Sequence, residues 1–437
     1  MSCFTAASDR AQLDPSKLVV TLSESLKPIP DEPVLGHTMS DHMLICEHDP
    51  VKGWGTPEIK PYGPLTLEPT ANILQYGGNA FEGMKAYAGL DGLPRLFRVE
   101  KHMERLARGA QRASLPSFDP AALAVLLKRL IAVESRWVPA KPGYALYIRP
   151  TIISTRPYIG LGASEHAILY IVLTPAAPFL GAGRPISLFA EEKNVRAWPG
   201  GTGAYKMGIN YAGIVGPQAE VQRRGYDQTL WLFGPDRCIT EAGIMNCFVV
   251  LGRDDGDYDL ITPPLDGTIL PGITRLSILE LAIAHTAGRT VLPGLPADRK
   301  IYTYEKVVTM PQVRAWAANG ILQEFFCCGT AVIVVPVGRI WFDGADVSLG
   351  VDGANEHGGV DGATRLGGAE ADLLPREGGP ETPSSGAPLG PVASSAQGSA
   401  TRAGALGPVA AALRERLVDI QEGRVSWEGW STPVDLA

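Results

Sequence analysis

The sequence contains no apolar run that approaches the roughly 20 residues of a membrane span. It has no excess of basic charge either, because 39 lysine and arginine residues stand against 46 aspartate and glutamate residues, for a net charge of −7. Such a composition creates no overall positive field that attracts nucleic acid or anionic lipid. We therefore expect neither nucleic acid nor a membrane as a partner, and small-molecule chemistry is the leading class of function.

The six cysteines form no C-x-x-C pair, and no histidine stands at metal-site spacing to any of them. The seven histidines form neither an H-E-x-x-H motif nor a readable Ser/His/Asp pattern. We therefore expect no metal centre and no catalytic triad. The unpaired cysteines fit a reducing compartment, and the N-terminal segment resembles neither a secretory signal nor a transit peptide. The expected location is the cytosol, with the mitochondrion as the alternative.

The 437 residues suggest two or three domains at roughly 150 residues per domain. Hydrophobic residues make up 45% and charged residues 19%, which is typical of a globular protein and not of a highly charged disordered chain. Strand-like and helix-like segments alternate along the chain. We predict an α+β fold with two domains, over residues 1–176 and 186–437, joined by a Pro- and Gly-rich linker at 177–185.

Several segments have a clear periodic pattern. Strands are predicted for YALYIRPTII, HAILYIVLTP, ISLFAEE, TLWLF, CFVVLG, YDLITPP and AVIVVPV, which are rich in apolar, β-branched and aromatic residues. Helices are predicted for the HMERLARGAQRASL, PAALAVLLKRLIAVES and TRLSILELAIAHTAG segments and for PVAAALRERLVDIQ near the C-terminus.

The segment from Gly344 to Gly407 is dominated by Gly, Ala, Pro and Ser, and no aromatic residue occurs between Phe342 and Trp427. Such a composition buries too little apolar surface to offset the conformational entropy lost on folding. We predict a disordered surface insertion at about 350–403. The alternative interpretation is an unremoved intron in the gene model.

The segment GGTGAYKMGINYAG places Lys206 among small and apolar residues. Burial disfavours the charged ammonium, so a lysine in these surroundings can act as a nucleophile. The alternative is a flexible glycine-rich loop with a solvated lysine. A nucleotide-binding loop is excluded, because the segment matches neither the P-loop nor the dinucleotide fingerprint.

Downstream residues could complete a site around a charged ligand. Glu241, just before a predicted strand, could hold a cationic ring nitrogen or be an ordinary surface acid. A helix predicted to begin near Ile273 and Thr274 presents unpaired N–H groups that suit a phosphate, although a plain helix start is more common. Arg105 could bind the same anion or remain solvated.

Strand alternation places Arg149 on the same face as Tyr147 in LYIRP. There the guanidinium could recognise a carboxylate, or it could form a plain surface salt bridge.

The order of these segments resembles that of the branched-chain amino acid aminotransferases, fold-type IV enzymes that use pyridoxal phosphate, and specifically their eukaryotic branch. The matching motifs are FEGMKAY, LFR with HMERL, LYIRP, AYKMGINYAG, TEAGIMN, PPLDGTILPGITR and CGTA. The resemblance covers about residues 14–343 and 404–432. It implies a smaller N-terminal α/β domain and a larger C-terminal domain that binds the cofactor and has a β-barrel-like core.

The resemblance implies roles toward pyridoxal 5'-phosphate. Lys206 would bond covalently to the cofactor aldehyde and move the proton between the substrate Cα and the cofactor. Glu241 would keep the pyridine nitrogen protonated, and Tyr211 would hydrogen-bond the ring oxygen. The residues implied to bind the phosphate are Arg105, Ile273, Thr274 and Thr330.

The resemblance also implies the contacts to the amino acid and 2-oxo acid substrates. The α-carboxylate would meet the amides of Thr330 and Ala331 and the hydroxyl of Tyr76. Phe81 would form part of the apolar wall. Two residues would line the side-chain pocket and accept either an apolar side chain or the second carboxylate of glutamate: Tyr147 and Arg149.

A homodimer is implied as well. In the family the partner subunit contributes the tyrosine that matches Tyr76 and a loop that matches Ile159 and Leu161. We therefore expect two copies of this chain to build each site.

Some residues depart from the pattern of the family. Cys327 stands where the family has a glycine before the CGTA turn, and it would strain a backbone that needs glycine torsions. Ile244 stands where animal relatives often have a threonine, which removes a possible hydroxyl contact. Val332 and Val335 occupy the places of the redox C-x-x-C pair of some mammalian relatives, so we expect no regulation through that switch.

These observations predict an aminotransferase that interconverts leucine, isoleucine or valine with their 2-oxo acids through a ping-pong mechanism, with 2-oxoglutarate and glutamate as the second pair. The alternatives within the fold are a D-amino acid aminotransferase and an aminodeoxychorismate lyase, which the segments KGWG and WVPAKPGYALYIRP disfavour. A catalytically dead binding homologue is a third alternative. The presence of Lys206, Glu241, Tyr211 and Arg105 together argues against it.

Overall fold

The computed structural model describes residues 10–178, 184–349 and 406–436. These residues form two β-sheets and eight α-helices, which confirms the predicted α+β class. The insertion predicted at about 350–403 lies outside the described residues.

The first sheet has ten strands, nine of which precede residue 177. They are β1 (Val19–Val20), β2 (His42–Asp49), β3 (Gly53–Trp54), β4 (Glu58–Pro61), β5 (Asn79–Phe81), β6 (Met84–Ala88), β7 (Pro94–Phe97), β8 (Ala145–Ser154), β9 (Ala167–Ala176) and β19 (Ser431–Pro433). Their order is β1-β4-β2-β9-β8-β6-β7-β19, with β3 beside β2 and β5 beside β8. The last strand of the chain thus returns to the sheet that the N-terminal segments build.

The second sheet has nine strands, all from the later part of the chain. They are β10 (Ile186–Glu191), β11 (Gln228–Phe233), β12 (Cys238–Ala242), β13 (Asn246–Gly252), β14 (Tyr258–Thr262), β15 (Ile301–Glu305), β16 (Leu322–Gly329), β17 (Ile333–Phe342) and β18 (Ala345–Ser348). Their order is β12-β11-β10-β17-β16-β13-β14-β15, with β18 beside β17. The change of sheet falls in the segment that was predicted as a linker, and the division into two domains stays a prediction.

Helices pack against both sheets. They are α1 (Asn72–Tyr76), α2 (Val99–Arg112), α3 (Pro120–Val133), α4 (Ile209–Ala212), α5 (Val215–Arg223), α6 (Ile273–Thr286), α7 (Met310–Ala318) and α8 (Pro408–Gln421), with 3-10 helices at Pro15–Lys17 and Ser135–Trp137. The four predicted helices are confirmed as α2, α3, α6 and α8. In the described part of the chain, no helix is both long and apolar enough to cross a membrane.

Local signals explain where these helices begin and end. The Asp119 side chain accepts a hydrogen bond of 2.9 Å from the Ala121 N–H, and Pro120 occupies the first position of α3. Helix α6 ends just before Gly288, which has a φ of +70°, the left-handed conformation that commonly stops a helix. Helices α2 and α3 bury their apolar faces in the core beneath the first sheet, and α6 and α8 do so beneath the second sheet.

The start of α8 is anchored by a buried carboxylate on β16. Glu324 is 4% exposed and accepts hydrogen bonds of 2.8 and 2.9 Å from the N–H groups of Val409 and Ala410. A Cβ at Gly407 would lie 2.2 Å from the Glu324 side chain, so only glycine fits there. Residues just beyond the undescribed segment are thereby tied to the second sheet.

We expect Glu324 to make the stability of the protein depend on pH. Burial raises the pKa of its carboxyl from 4.5 to about 7, against the opposing effect of the two N–H groups. The folded protein therefore holds this proton more tightly than the unfolded chain, so the stabilisation that Glu324 contributes is complete below about pH 4 and is lost as the pH rises through about 7. From pH 5 to pH 8, the unfolding free energy of the natural protein should fall by about 2–3 kcal/mol relative to that of Glu324→Gln. Urea unfolding of both proteins at several pH values measures this difference, and parallel pH profiles would contradict the assignment.

Candidate active site

A cavity of about 490 Å³ is lined by residues from both sheets. Ten of the twelve site residues named from the sequence lie on its wall: Arg105, Tyr147, Arg149, Lys206, Tyr211, Glu241, Ile273, Thr274, Thr330 and Ala331. The structure thus brings together residues that are more than 200 positions apart in the chain. The roles assigned to them remain predictions, because position alone does not test chemistry.

Lys206 lies in the segment just before α4, within reach of two aromatic rings. Its Nζ lies 3.2 Å from the Tyr211 hydroxyl oxygen and 5.2 Å from the centre of the Phe81 ring. The Phe81 N–H donates to the Lys206 carbonyl at 3.0 Å, which fixes the lysine backbone against β5. Phe81 is not on the cavity wall itself but packs directly behind it, with its ring centre 5.0 Å from that of Tyr211.

Glu241 is a buried carboxylate with one oxygen satisfied and one not. Its Oε1 accepts hydrogen bonds from the Leu270 N–H at 2.8 Å and from the Asn246 side-chain amide at 3.0 Å. Its Oε2 lies 3.0 Å from Arg196 Nε but receives no hydrogen bond within the described residues. Burial raises the pKa of the Glu241 carboxyl, and the nearby cations oppose that rise only in part. A cationic ring nitrogen would supply the donor that Oε2 lacks.

Asn246 also sets the position at which α6 begins. A Cβ at Gly272 would lie 2.0 Å from the Asn246 amide oxygen, so a glycine is required immediately before the helix. This close approach places the first amides of α6, at Ile273 and Thr274, on the cavity wall. The first N–H groups of a helix have no partner inside the helix and carry its positive dipole end, so this wall can bind an anion.

Arg105 reaches the same region from α2 and is held rigidly. Its Nε and Nη2 donate to the two oxygens of Glu82 at 2.6 and 2.8 Å, and its Nη1 donates to the Pro271 carbonyl at 3.0 Å. His102 Nδ1 lies 2.9 Å from the same carboxylate. Burial opposes ionisation of Glu82, but Arg105 and His102 outweigh it and hold the pKa of this carboxyl far below its usual range. Each terminal nitrogen of Arg105 keeps one further N–H for an anion.

A tight turn between β16 and β17 forms another part of the wall. Gly329 pairs with Ile333, which leaves a three-residue turn of Thr330, Ala331 and Val332. None of these three amides donates a hydrogen bond to another group in the described part of the chain. A short run of free N–H groups on a cavity wall is suited to a carboxylate or phosphate.

The strain expected at Cys327 is absent, which corrects that prediction. Cys327 lies in β16, pairs with Cys247 and Val335 across the sheet, and does not have a positive φ. The strained residue of this hairpin is Ile333, whose φ of +62° is unusual for a β-branched side chain. The backbone at position 327 therefore does not require glycine.

Arg149 and Tyr147 share a face of β8, as the strand alternation predicts. Arg149 Nη2 donates to the Tyr147 hydroxyl at 3.0 Å, and the guanidinium carbon lies 4.9 Å from the centre of the Phe81 ring. Its buried Nε has no hydrogen-bond partner among the described residues. A Cβ at Gly83 would lie 2.1 Å from the Tyr147 hydroxyl oxygen, so glycine is required there for the tyrosine to adopt this position.

The remaining wall is mainly apolar. It includes Ile214 and Val215 at the start of α5, Ile244 and Met245 between β12 and β13, and Val332 in the turn. Ile244 is 53% exposed on this wall. An apolar substrate side chain can be accommodated beside these residues without leaving a polar group unpaired.

Three residues implied by the resemblance lie away from the cavity wall. Tyr76 is 41% exposed at the end of α1, and Ile159 and Leu161 are 68% and 88% exposed. The single chain therefore does not place them at the site. In the described residues, no group of histidine, cysteine or acidic side chains is arranged to hold a metal ion.

Sequence reasoning missed the residues that hold the site residues in place. Glu82 orients Arg105, Asn246 and Arg196 contact Glu241, and Lys85 contacts the turn at Ala331. Glu82 and Lys85 both lie in the motif FEGMKAY, so that motif was a signal. Asn246 is the last residue of the motif TEAGIMN and carried the same kind of signal, whereas Arg196 lies outside every matching motif.

Comparisons with known proteins agree with this arrangement. Residues 79–340 match the amino-transferase class IV family. The mitochondrial branched-chain-amino-acid aminotransferase of Schizosaccharomyces pombe is 44% identical over 340 residues, covering 77% of this chain and 77% of that protein. The cytosolic branched-chain-amino-acid aminotransferase of Saccharomyces cerevisiae is 43% identical over 343 residues, covering 78% of this chain and 89% of that protein.

A solved structure also matches this fold. The T.th. branched-chain amino acid aminotransferase with pyridoxamine 5'-phosphate superposes with a TM-score of 0.58 at 21% identity, covering 90% of this chain and 98% of that one. The expected fold-type IV architecture is confirmed by this likeness and by the family match.

Proposed function

We propose a reaction from one premise: the chain belongs to the class IV aminotransferases, and among these to the branched-chain-amino-acid aminotransferases. It transfers the amino group between leucine, isoleucine or valine and 2-oxoglutarate, with pyridoxal phosphate as cofactor, in two half-reactions of a ping-pong cycle. The observation that carries this proposal is one cavity that joins a lysine amine, a buried carboxylate whose Oε2 accepts no hydrogen bond within the described residues, and two runs of free backbone amides.

The residues present fit this cofactor. Arg105 and the first amides of α6 would bind its phosphate, and Glu241 Oε2 would accept the hydrogen bond of the protonated ring nitrogen. Thr330 would add a hydroxyl to the phosphate site. When bound, pyridoxal phosphate supplies an electron sink for the carbanion that remains after the substrate Cα loses its proton.

Lys206 would bond to the cofactor in the resting enzyme and, once released, move the proton from the substrate Cα. Its amine lies beside the Phe81 and Tyr211 rings on the cavity wall, where as a free base it can accept that proton. Tyr211 holds the amine at hydrogen-bond distance and would also donate to the ring oxygen of the cofactor. The two residues therefore act together at one end of the cavity.

The rest of the wall would bind the substrate. The free amides of the turn would bind the α-carboxylate that every substrate shares, and the apolar wall would bind a branched side chain. Arg149, with an unpaired Nε, would bind the second carboxylate of glutamate or 2-oxoglutarate. One site could in this way accept two unlike side chains.

We further propose that the enzyme is a homodimer in which the partner covers the mouth of the cavity. The exposed apolar side chains of Tyr76, Ile159 and Leu161 support this, because monomers seldom expose several such residues together. The two relatives named above are a mitochondrial and a cytosolic protein, so the cytosolic location stays a prediction.

The visible spectrum of the purified protein with pyridoxal phosphate tests the proposal. We expect an absorbance band of the protein-bound cofactor that leucine bleaches and 2-oxoglutarate restores. Borohydride reduction before leucine is added should attach the cofactor to the peptide that contains Lys206. The same preparation should sediment at twice the mass of the chain. A folded protein with no such band, or with the adduct on another lysine, would favour the inactive binding homologue.

A further inference from the structure

Lys85 is a buried lysine that joins the two sheets beside the cavity. It is 8% exposed on β6, and its Nζ donates a hydrogen bond of 2.8 Å to the Ala331 carbonyl. Strand β6 belongs to the first sheet, and Ala331 belongs to the turn between β16 and β17 of the second. Lys85 is also the direct cross-strand partner of Tyr147, whose side chain lines the cavity.

The surroundings of Lys85 do not favour a cation. Burial, together with the charge of Arg414 on α8, lowers the pKa of its ammonium from 10.5 to about 8. In the described residues, no carboxylate forms an ion pair with it. A buried amine of this kind costs more free energy than a methionine of similar length would. The hydrogen bond to the Ala331 carbonyl offsets part of this cost.

The turn that Lys85 contacts is itself strained. Ile333, the first strand residue after the turn, has a φ of +62°, a conformation usually adopted by glycine. A left-handed conformation is unfavourable for any residue with a Cβ and more so for a β-branched one. The Lys85 contact is made at Ala331, two residues before this strained residue, within the turn whose amides are free.

We propose that Lys85 is a positioning residue for substrate binding: by holding the Ala331 carbonyl, it fixes the turn whose free amides bind the substrate α-carboxylate. This inference rests on the proposed function. A donor at the Ala331 oxygen also polarises the peptide unit that Ala331 shares with Val332, which makes the Val332 N–H a stronger donor. Lys85 does not touch substrate or cofactor in this role and acts through the turn.

The test compares Lys85→Met with the natural enzyme, both loaded with pyridoxal phosphate. The probe is 4-methylpentanoate, a branched carboxylate that has no amino group and cannot react. We expect its dissociation constant, measured by calorimetry, to rise about 10- to 100-fold in Lys85→Met. The KM for leucine should rise in parallel while kcat changes little, because the contact is made equally in the ground state and the transition state. The dissociation constant for pyridoxal phosphate should rise much less, because the turn supplies only the Thr330 hydroxyl to the phosphate site, beside Arg105 and the start of α6.

Two further variants complete the test. Lys85→Gln keeps a hydrogen-bond donor without the charge, so it should lose less affinity for 4-methylpentanoate than Lys85→Met does. If Lys85→Met fails to fold, Lys85→Gln takes its place in the comparison with the natural enzyme. Lys101→Met removes an exposed lysine of α2 and should bind the probe as the natural enzyme does. Affinity within twofold of the natural enzyme, or an equal loss of affinity for probe and cofactor, would overturn the inference. Failure of the natural enzyme itself to react with leucine would instead overturn the proposed function.

Discussion

Lys206→Ala is expected to lower transamination of leucine by about 10⁴-fold, the upper end of what a positioned proton-transfer group contributes. Lys206 is the one lysine among the described residues that line the cavity, so no neighbouring amine can replace it there. Without it, neither the covalent attachment of the cofactor nor the proton transfer at the substrate Cα has a protein group to perform it. Steady-state kinetics with leucine and 2-oxoglutarate measure the loss.

The same variant should still bind pyridoxal phosphate, because Arg105, Glu241 and the start of α6 are unchanged. Borohydride should then leave no cofactor on the protein. Lys193→Ala, which removes an exposed lysine beyond β10, is the matched control and should keep both its activity and its adduct. Retention of more than a tenth of the natural activity in Lys206→Ala would show that this lysine is not the catalytic one.

Glu241→Gln is expected to lower kcat by about 10²- to 10³-fold, the range seen when one preorganised electrostatic contact is removed. A neutral amide cannot stabilise a proton on the ring nitrogen as a carboxylate does, so the cofactor would accept electrons less readily. The fold should survive the change at reduced stability: the remaining oxygen can still accept from the Leu270 N–H and the Asn246 amide, but the buried Arg196, 3.0 Å from Oε2, loses its counter-charge. Kinetics and the pH dependence of the visible spectrum measure the effect.

A matched control separates this effect from a general loss of charge. Glu104→Gln removes an exposed carboxylate of α2 and should leave kcat unchanged. A Glu241→Gln enzyme with the kcat of the natural protein would refute the role proposed for this residue, whatever its stability. A lower melting temperature with an unchanged kcat would show that Glu241 stabilises the fold but has no part in catalysis.

Most of the secondary structure could be predicted from local patterns. The β-branched and aromatic residues of YALYIRPTII predicted β8, and the apolar pattern of PAALAVLLKRLIAVES predicted α3. Strands such as β2 and β16 and the helices α5 and α7 were not predicted. The two strands show no clean alternation, because most of their residues are buried whichever face they lie on. The two helices bury only one or two residues each, which is too few for an apolar stripe.

In the candidate site, too, residues with a local sequence signal were predicted and residues that depend on tertiary contacts were not. Lys206 was noticed because its small and apolar neighbours are adjacent in the chain. Glu82 was not assigned a role, because its importance depends on Arg105, which lies 23 residues away and approaches only through the packing of α2. Cys327 was expected to be strained from its place in a motif, yet the strand torsions are ordinary there and Ile333 bears the strain instead.

The sequence by itself determined the α+β class, the family and ten of the residues that line the cavity. These depend on short segments whose order along the chain is enough to identify them. Only the tertiary structure decided which groups are left free to bind a ligand: the second oxygen of Glu241, the Nε of Arg149 and the amides of the turn at Thr330. The physical reason is that a hydrogen bond depends on distance and direction in space, and partners such as Lys85 and Ala331 are 246 positions apart in the chain.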